Sequence, residues 1–258
     1  MDAKVQAAIN VASKTNYINP DFLYLKNVNI TEWDIKSAGL SVLKFRKLLP
    51  KEELMQLEQM DKHSRTVKEG LLQKNHPEIA EEIINTLAKA REAFVLLNHI
   101  TEEQILSIKK DAMFLINKTP ETTVIKDAFT FRKKGVYTSF IKLGKTEFYY
   151  NGGTNELDIK GLSKEAIELQ SDYLLKDLKG FLRSSEKVSP DVLFSLLKNY
   201  RQKYLNLQLP LETYRELDSG KFRIDDYLAD NINRDMLSEI DISQNYMNYI
   251  LPLIQSLL

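Results

Sequence analysis

The hydrophobic period of the chain changes near residue 100, and that change limits its fold more than any other feature. Before it, apolar residues recur at three- and four-residue spacing. From Pro77 onward, Ile79, Ile83, Ile84, Leu87, Ala90, Phe94 and Leu97 share one face, which predicts an amphipathic helix. After it come two short apolar runs, 104–108 and 112–116, separated only by Lys109-Lys110-Asp111. So short a gap leaves no room for a crossover, so the runs predict a tight antiparallel hairpin with Asp111 at its tip. Helices followed by hairpin-linked strands define an α+β chain.

The remaining pattern fits that class. Val5, Ala8, Ile9 and Ala12 predict a short first helix, and Asn19-Pro20 a turn. Residues 22–25 and 28–35 read as extended. A helix follows from Ser37 and stops at Pro50. Residues 51–98 hold two or three helices, with Ser64 as the cap of one. Beyond the hairpin, strands are expected at 128–132, 137–143 and 146–150, with Gly135 and Gly144 at the turns. From Ser163 the pattern is helical again, with a helix start near Pro190 and a last helix over 243–258.

Composition narrows the chemistry. With 258 residues and 43% hydrophobic content, the chain can bury a sizeable core. It has no Cys, which excludes disulfides, thiolate zinc sites and cysteine nucleophiles. His63, His76 and His99 stand apart, against a His-rich metal site. The lack of Cys fits a cytoplasmic protein, and no apolar run approaches the roughly 20 residues of a membrane helix. The net charge of zero hides an asymmetry. Residues 108–145 hold nine Lys/Arg against three Asp/Glu, and residues 36–74 nine against five. Residues 212–241 hold four against nine. Such basic stretches suit an anionic partner or a solvated lysine face.

Two carboxylates occupy telling places. Asp34 ends a strand before a turn into a helix, and Asp111 sits at the hairpin tip. Adjacent strands would bring them together, and paired carboxylates bind hard cations such as Mg²⁺. Either aspartate alone also suits a turn or a helix cap.

The order of motifs resembles the palm of family-B DNA polymerases. Asp34 with Ser37 before a helix is similar to motif A, Asp-x-x-Ser-Leu-Tyr. Ile108-Lys-Lys-Asp-Ala-Met-Phe114 is similar to motif C, with Asp111 on the second family aspartate. Lys145-Thr-Glu-Phe-Tyr149 ahead of Asp158-Ile-Lys-Gly-Leu162 resembles the Lys-Lys-x-Tyr strand and the Lys-Gly segment after it. Leu209-Pro-Leu-Glu212 and Tyr246-Met-Asn-Tyr-Ile-Leu-Pro252 resemble thumb segments. There are also departures. Lys109 stands where motif C has its first Asp, Gly39 where motif A has its sugar-gating Tyr, and motif B has no clear counterpart.

The resemblance implies a small antiparallel palm sheet with a helical fingers insertion and a C-terminal helical thumb. Its segments would be palm with motif A over 1–50, fingers over 51–100, palm with motif C over 101–162 and thumb over 163–258. It implies two-metal phosphoryl transfer from nucleoside triphosphates to a primer end, with Mg²⁺ or Mn²⁺ held by Asp34, Asp111 and the carbonyl of Ile35. Lys145 would act at the reacting phosphates. Arg65, Lys68, Lys62, Ser37 and Gly39 would face the nucleotide. Arg132, Lys133, Lys134, Lys142 and Lys160 would hold the primer–template. Other replication proteins are further expected partners. A polymerase this small suits a phage or mobile element, working in the host cytoplasm. With Gly39 as an open gate, weak sugar discrimination is expected, unless Phe45, Tyr24 or another aromatic fills the gap. The competing expectations are an inactive, nucleic-acid-binding replication accessory protein and a helical structural protein.

Overall fold

The computed structural model describes residues 2–143, 146–161, 174–183, 190–205 and 208. The chain divides into two compact units, one of residues 1–21 with 28–136, the other of residues 22–27 with 137–258. The α+β class holds.

The first unit opens with α1 (Ala3–Ala12) and β1 (Asn16–Ile18), followed by most of β2 (Tyr24–Ile35). Four helices come next: α2 (Ala38–Arg46), α3 (Lys51–Gln59), α4 (Lys62–Asn75) and α5 (Pro77–Leu97). Then come β3 (Ile105–Lys109), β4 (Ala112–Ile116), β5 (Val124–Ile125) and the first half of β6 (Phe129–Leu143). The strands lie in the order β1-β3-β4-β2-β6, with β5 also on β6.

The expected hairpin is present, with Ile108 opposite Met113 and Lys109 opposite Ala112. Its second strand runs antiparallel to β2, where Trp33 faces Met113 and Asp34 faces Ala112. Strand alternation then sorts the side chains. Trp33, Ile35, Met113, Leu115, Phe129 and Phe131 join the core under the helices. Glu32 and Asp34 therefore lie on the opposite face. At the centre of the core, Phe94 of α5 stacks on Phe131 at 4.0 Å and tilts against Trp33 at 6.2 Å.

Several local expectations differ from the structure. Extended residues 22–25 and 28–35 merge into β2, which continues through Asn27 at φ 56°. Ser64 does not cap α4. Asp61 does, its carboxylate accepting the amides of His63 and Ser64 at 2.9 and 3.1 Å. Aspartate is a strong N-cap, and Ser64 falls inside the first turn. Gly135 makes no turn, because β6 runs through it. β1 escaped the sequence pattern, being three residues long and held by its register with β3.

In the second unit, the end of β6 pairs with β7 (Thr146–Asn151), and β7 with β8 (Glu156–Lys160). The turn between β7 and β8 closes on Asn151, whose Oδ1 accepts the amides of Gly153 and Thr154. Helices α6 (Leu174–Arg183) and α7 (Pro190–Leu205) follow. Leu175, Leu178 and Phe181 of α6 are buried, and Phe181 meets Tyr24. The turn at Gly144, the helix start at Ser163, both thumb-like segments and the helix over 243–258 lie outside the described residues.

The stacked ring of Phe94 gives a first prediction. Phe94→Ala removes a fully buried ring and should cost about 3–5 kcal/mol of unfolding free energy. Urea denaturation should show a lower midpoint with an unchanged slope.

Candidate functional site

Asp34 and Asp111 approach one another because β2 is the neighbour of the hairpin. The amide of Ile35 donates to the carbonyl of Asp111 at 3.3 Å, joining the end of β2 to the hairpin tip. The tip itself is held from both sides. Lys110 adopts φ 53°, a left-handed conformation costly for a side chain of this kind. Its amide donates to Thr15 O at 2.8 Å, and its carbonyl accepts from Arg91 Nη1. Arg91, only 1% exposed, also donates to Ala12 O at 3.0 Å and Lys14 O at 2.9 Å. Burial pushes its guanidinium down to about 10, with the nearby charge of Asp111 acting against that shift.

Asp111 is half-buried. Burial pushes its carboxyl above the usual range, and the charge of Asp34 pushes the same way. A backbone hydrogen bond, Lys134 and Arg91 draw it back. The field of Asp34 thus reaches the Asp111 carboxyl, which puts the two in one candidate site.

That site already holds a cation. Arg132 on β6 donates from Nε to Asp34 Oδ1 at 2.7 Å and from Nη2 to Oδ2 at 3.3 Å. Two residues along, Lys134 meets the carboxylate of Glu32 at 3.0 Å, Glu32 being 2% exposed. The amide of Lys36 donates to Thr130 O at 2.9 Å. These three links step backward on β2 as they step forward on β6, the pattern of an antiparallel pair.

After β2 the chain turns sharply into α2. Ser37 adopts φ 49°, and Arg65 Nη2 of α4 donates to its hydroxyl at 3.4 Å. One turn further along α4, Glu69 lies against Gly39. A Cβ on residue 39 would fall 3.0 Å from Glu69 Cδ and closer still to Oε2. The space beside Gly39 is therefore filled by the Glu69 side chain.

The other candidates scatter. Lys68 lines an apolar recess with Leu49, Glu53, Leu57, Leu71 and Leu72. Lys62 and Lys133 are exposed. Lys142 sits in the second unit opposite Glu147. Lys160 pairs with Asp158 at 2.8 Å. Lys145 lies outside the described residues. Arg132, Lys134 and Lys160 are each engaged with a carboxylate.

Sequence reasoning missed Arg91 and Glu69. Arg91 left a legible signal, since it falls on the apolar stripe of α5 between Leu87 and Phe94. A charged residue there needs buried acceptors. Glu69 left none, because its contact with Gly39 joins elements thirty residues apart.

The fold and the acidic pair define an α+β protein with two aspartates brought together where the end of an antiparallel strand meets the tip of a neighbouring hairpin. Among the described residues no group of three or more His, Asp or Glu gathers as a metal cage, and no helix is long and apolar enough to cross a membrane. The family described as Bacteriophage PBS1 gene 130 protein matches residues 7–258, and the chain belongs to it. No curated protein matches the chain.

The raised pKa of Asp111 carries a pH signature. A carboxyl raised in the folded state burdens the fold once it ionises. That burden appears as pH climbs through the window above the ordinary value of 3.8 and is absent below it. Asp111→Asn, a neutral isostere, should therefore melt above wild type at pH 7. The advantage should vanish as pH falls below that window, measured by thermal melts across the range.

Proposed function

We propose that this chain is a nucleotidyltransferase of polymerase type, joining nucleotides to a primer end on a nucleic-acid template. The observation that carries this reading is the shared site of Asp34 and Asp111, one ending β2 and the other tipping the hairpin beside it. Two carboxylates on adjacent strands form a firm pair of oxygen ligands, and Mg²⁺ is commonly held by one or two carboxylates together with substrate phosphates and water. The sparse donor set therefore fits such an ion better than a complete protein cage would. When bound, the metal would supply charge stabilisation for the attacking and leaving oxygens.

The chain's own residues have distinct parts in this reading. Arg91 sets the position of the hairpin tip and hence of Asp111. Arg65, anchored on Ser37 beside the α2 turn, offers a cation to the nucleotide phosphates. Arg132 neutralises Asp34 in the absence of a metal. Its side chain is 51% exposed, against 10% for Asp34, so it can swing outward while the carboxylate stays in place. The family's phage description is compatible with a small replication enzyme, and host cytoplasm is its proposed place of action.

A second reading is favoured by two observations. The bidentate pair of Arg132 with Asp34, together with Lys109 near the hairpin tip, suits a replication accessory protein that binds nucleic acid without catalysis. Primer extension with Mg²⁺ or Mn²⁺ separates the two. Under the enzymatic reading, Asp34→Ala and Asp111→Ala should each lower extension by about 100-fold or more, the equivalent of at least about 2.7 kcal/mol. Metal-independent binding of a primer–template with no extension by wild type supports the accessory role instead.

Arg132 gives a further check. Arg132→Gln frees both oxygens of Asp34, so Mn²⁺ should bind about tenfold more tightly in a titration, one order of magnitude for roughly 1.4 kcal/mol. Unchanged Mn²⁺ affinity would mean that Arg132 and the metal do not compete.

A further inference from the structure

We propose that the groove between α3 and α4 is a dimer interface, which a second copy of this chain covers across a two-fold axis running along the groove.

The starting point is α4, a helix of 14 residues that buries none of them. A helix of that length is marginal in water unless an apolar face packs against something. The side of α4 turned to α2 is polar, with Arg65 donating to Ser37 and Glu69 lying against Gly39. Its apolar residues Val67 and Leu71, one turn apart, are 50% and 54% exposed. The neighbouring helices leave this side uncovered, because α3 packs on α2 and α4 on α5. Between α3 and α4 lies an open recess of about 190 Å³, lined by Leu49, Glu53, Leu57, Lys68, Leu71 and Leu72. A cavity of about 150 Å³ admits a benzene ring, so this one has room for an aliphatic side chain.

Charge identifies the occupant. The α3 wall is acidic, with Glu52, Glu53 and Glu58 against Lys51. The α4 wall is basic, with Lys62, Arg65, Lys68 and Lys74 against Glu69. Glu58 pairs with Lys44, and Arg65 stands near Glu69. Glu53 and Lys68, on opposite walls of the recess, have no ion-pair partner among the described residues. A nucleic-acid backbone suits a surface of one sign, and the acidic wall would repel it. A groove with one wall of each sign is complementary to itself. A two-fold axis along it lays α3 of one copy over α4 of the other, so that Glu53 faces Lys68 twice, as in an isologous interface. The same rotation places Val67 and Leu71 of each copy over the apolar recess of the other, removing both from water.

The test is sedimentation velocity of the full chain from about 1 to about 100 µM, a range that brackets the micromolar affinity of a small interface. Wild type should pass from monomer to dimer as concentration rises. Leu71→Glu puts a charge in the apolar centre and should raise the dimer Kd by about tenfold or more. Glu53→Lys and Lys68→Glu each set like charges face to face twice, and each should raise Kd by about tenfold. The double variant Glu53→Lys/Lys68→Glu exchanges the walls and should associate as wild type does. Mixing the two single variants should likewise restore association, as a mixed dimer. All four positions are exposed or half-buried, and thermal melts check that each variant folds.

Wild type that stays monomeric throughout overturns the proposal. So does a dimer unaffected by Leu71→Glu, or one that the charge variants weaken without recovery in the double variant and the mixture. Monomeric wild type that binds a single-stranded oligonucleotide, with binding lost in Lys68→Glu, would replace the dimer with a nucleic-acid surface.

Discussion

The guanidinium of Arg91 binds three backbone carbonyls that are distant in sequence, those of Ala12, Lys14 and Lys110. A buried cation is tolerated only when its donors are satisfied and an opposing charge is near. Here the carbonyls supply the first condition, and the field of Asp111 contributes to the second. The end of α1, the approach to β1 and the hairpin tip are thereby tied to one side chain on α5. The left-handed backbone of Lys110 is held by the same arrangement, since its carbonyl is one of the three acceptors. The acidic pair is consequently a product of the core, not of a mobile loop.

The opposite face of the sheet follows from charge neutralisation. Glu32 and Asp34 alternate with Trp33 and Ile35 along β2, so once the apolar pair enters the helix-covered core the acidic pair must face the other way. Arg132 and Lys134 on β6 meet them in register. The basic excess over 108–145 is spent partly on these contacts. This is why a stretch that reads as an electrostatic footprint contributes local pairs within the sheet.

The turn from β2 into α2 concentrates the remaining chemistry. Within six residues it presents Asp34, the left-handed Ser37 and Gly39, and α4 delivers Arg65 and Glu69 to the same place. Arg65 and Glu69 are four residues apart and so arrive on one face of α4, while Lys68 lines the recess with Leu57 and Leu72. A helix can present only one stripe to a given neighbour.

The sequence by itself determined those features that depend on local period. The helix from Pro77 follows from its apolar spacing, and the β3–β4 hairpin with Asp111 at its tip from two apolar runs and a gap too short for a crossover. What the sequence could not specify is which strand lies beside that hairpin. β2 holds this position, and its register sets Asp34 opposite Ala112. Register is fixed by which face enters the core, a property of the whole assembly. The same holds for the partners of the charged residues. Arg132 with Asp34 and Glu69 against Gly39 join segments 98 and 30 positions apart, and no local pattern encodes such encounters. The cap at Asp61 and the continuity of β6 through Gly135 differ for a related reason. Serine and glycine have local preferences of about 1 kcal/mol, and strand pairing together with a better neighbouring cap outweighs them. Tertiary packing decided the site, because only packing brings a strand end, a hairpin tip and a buried arginine to one point.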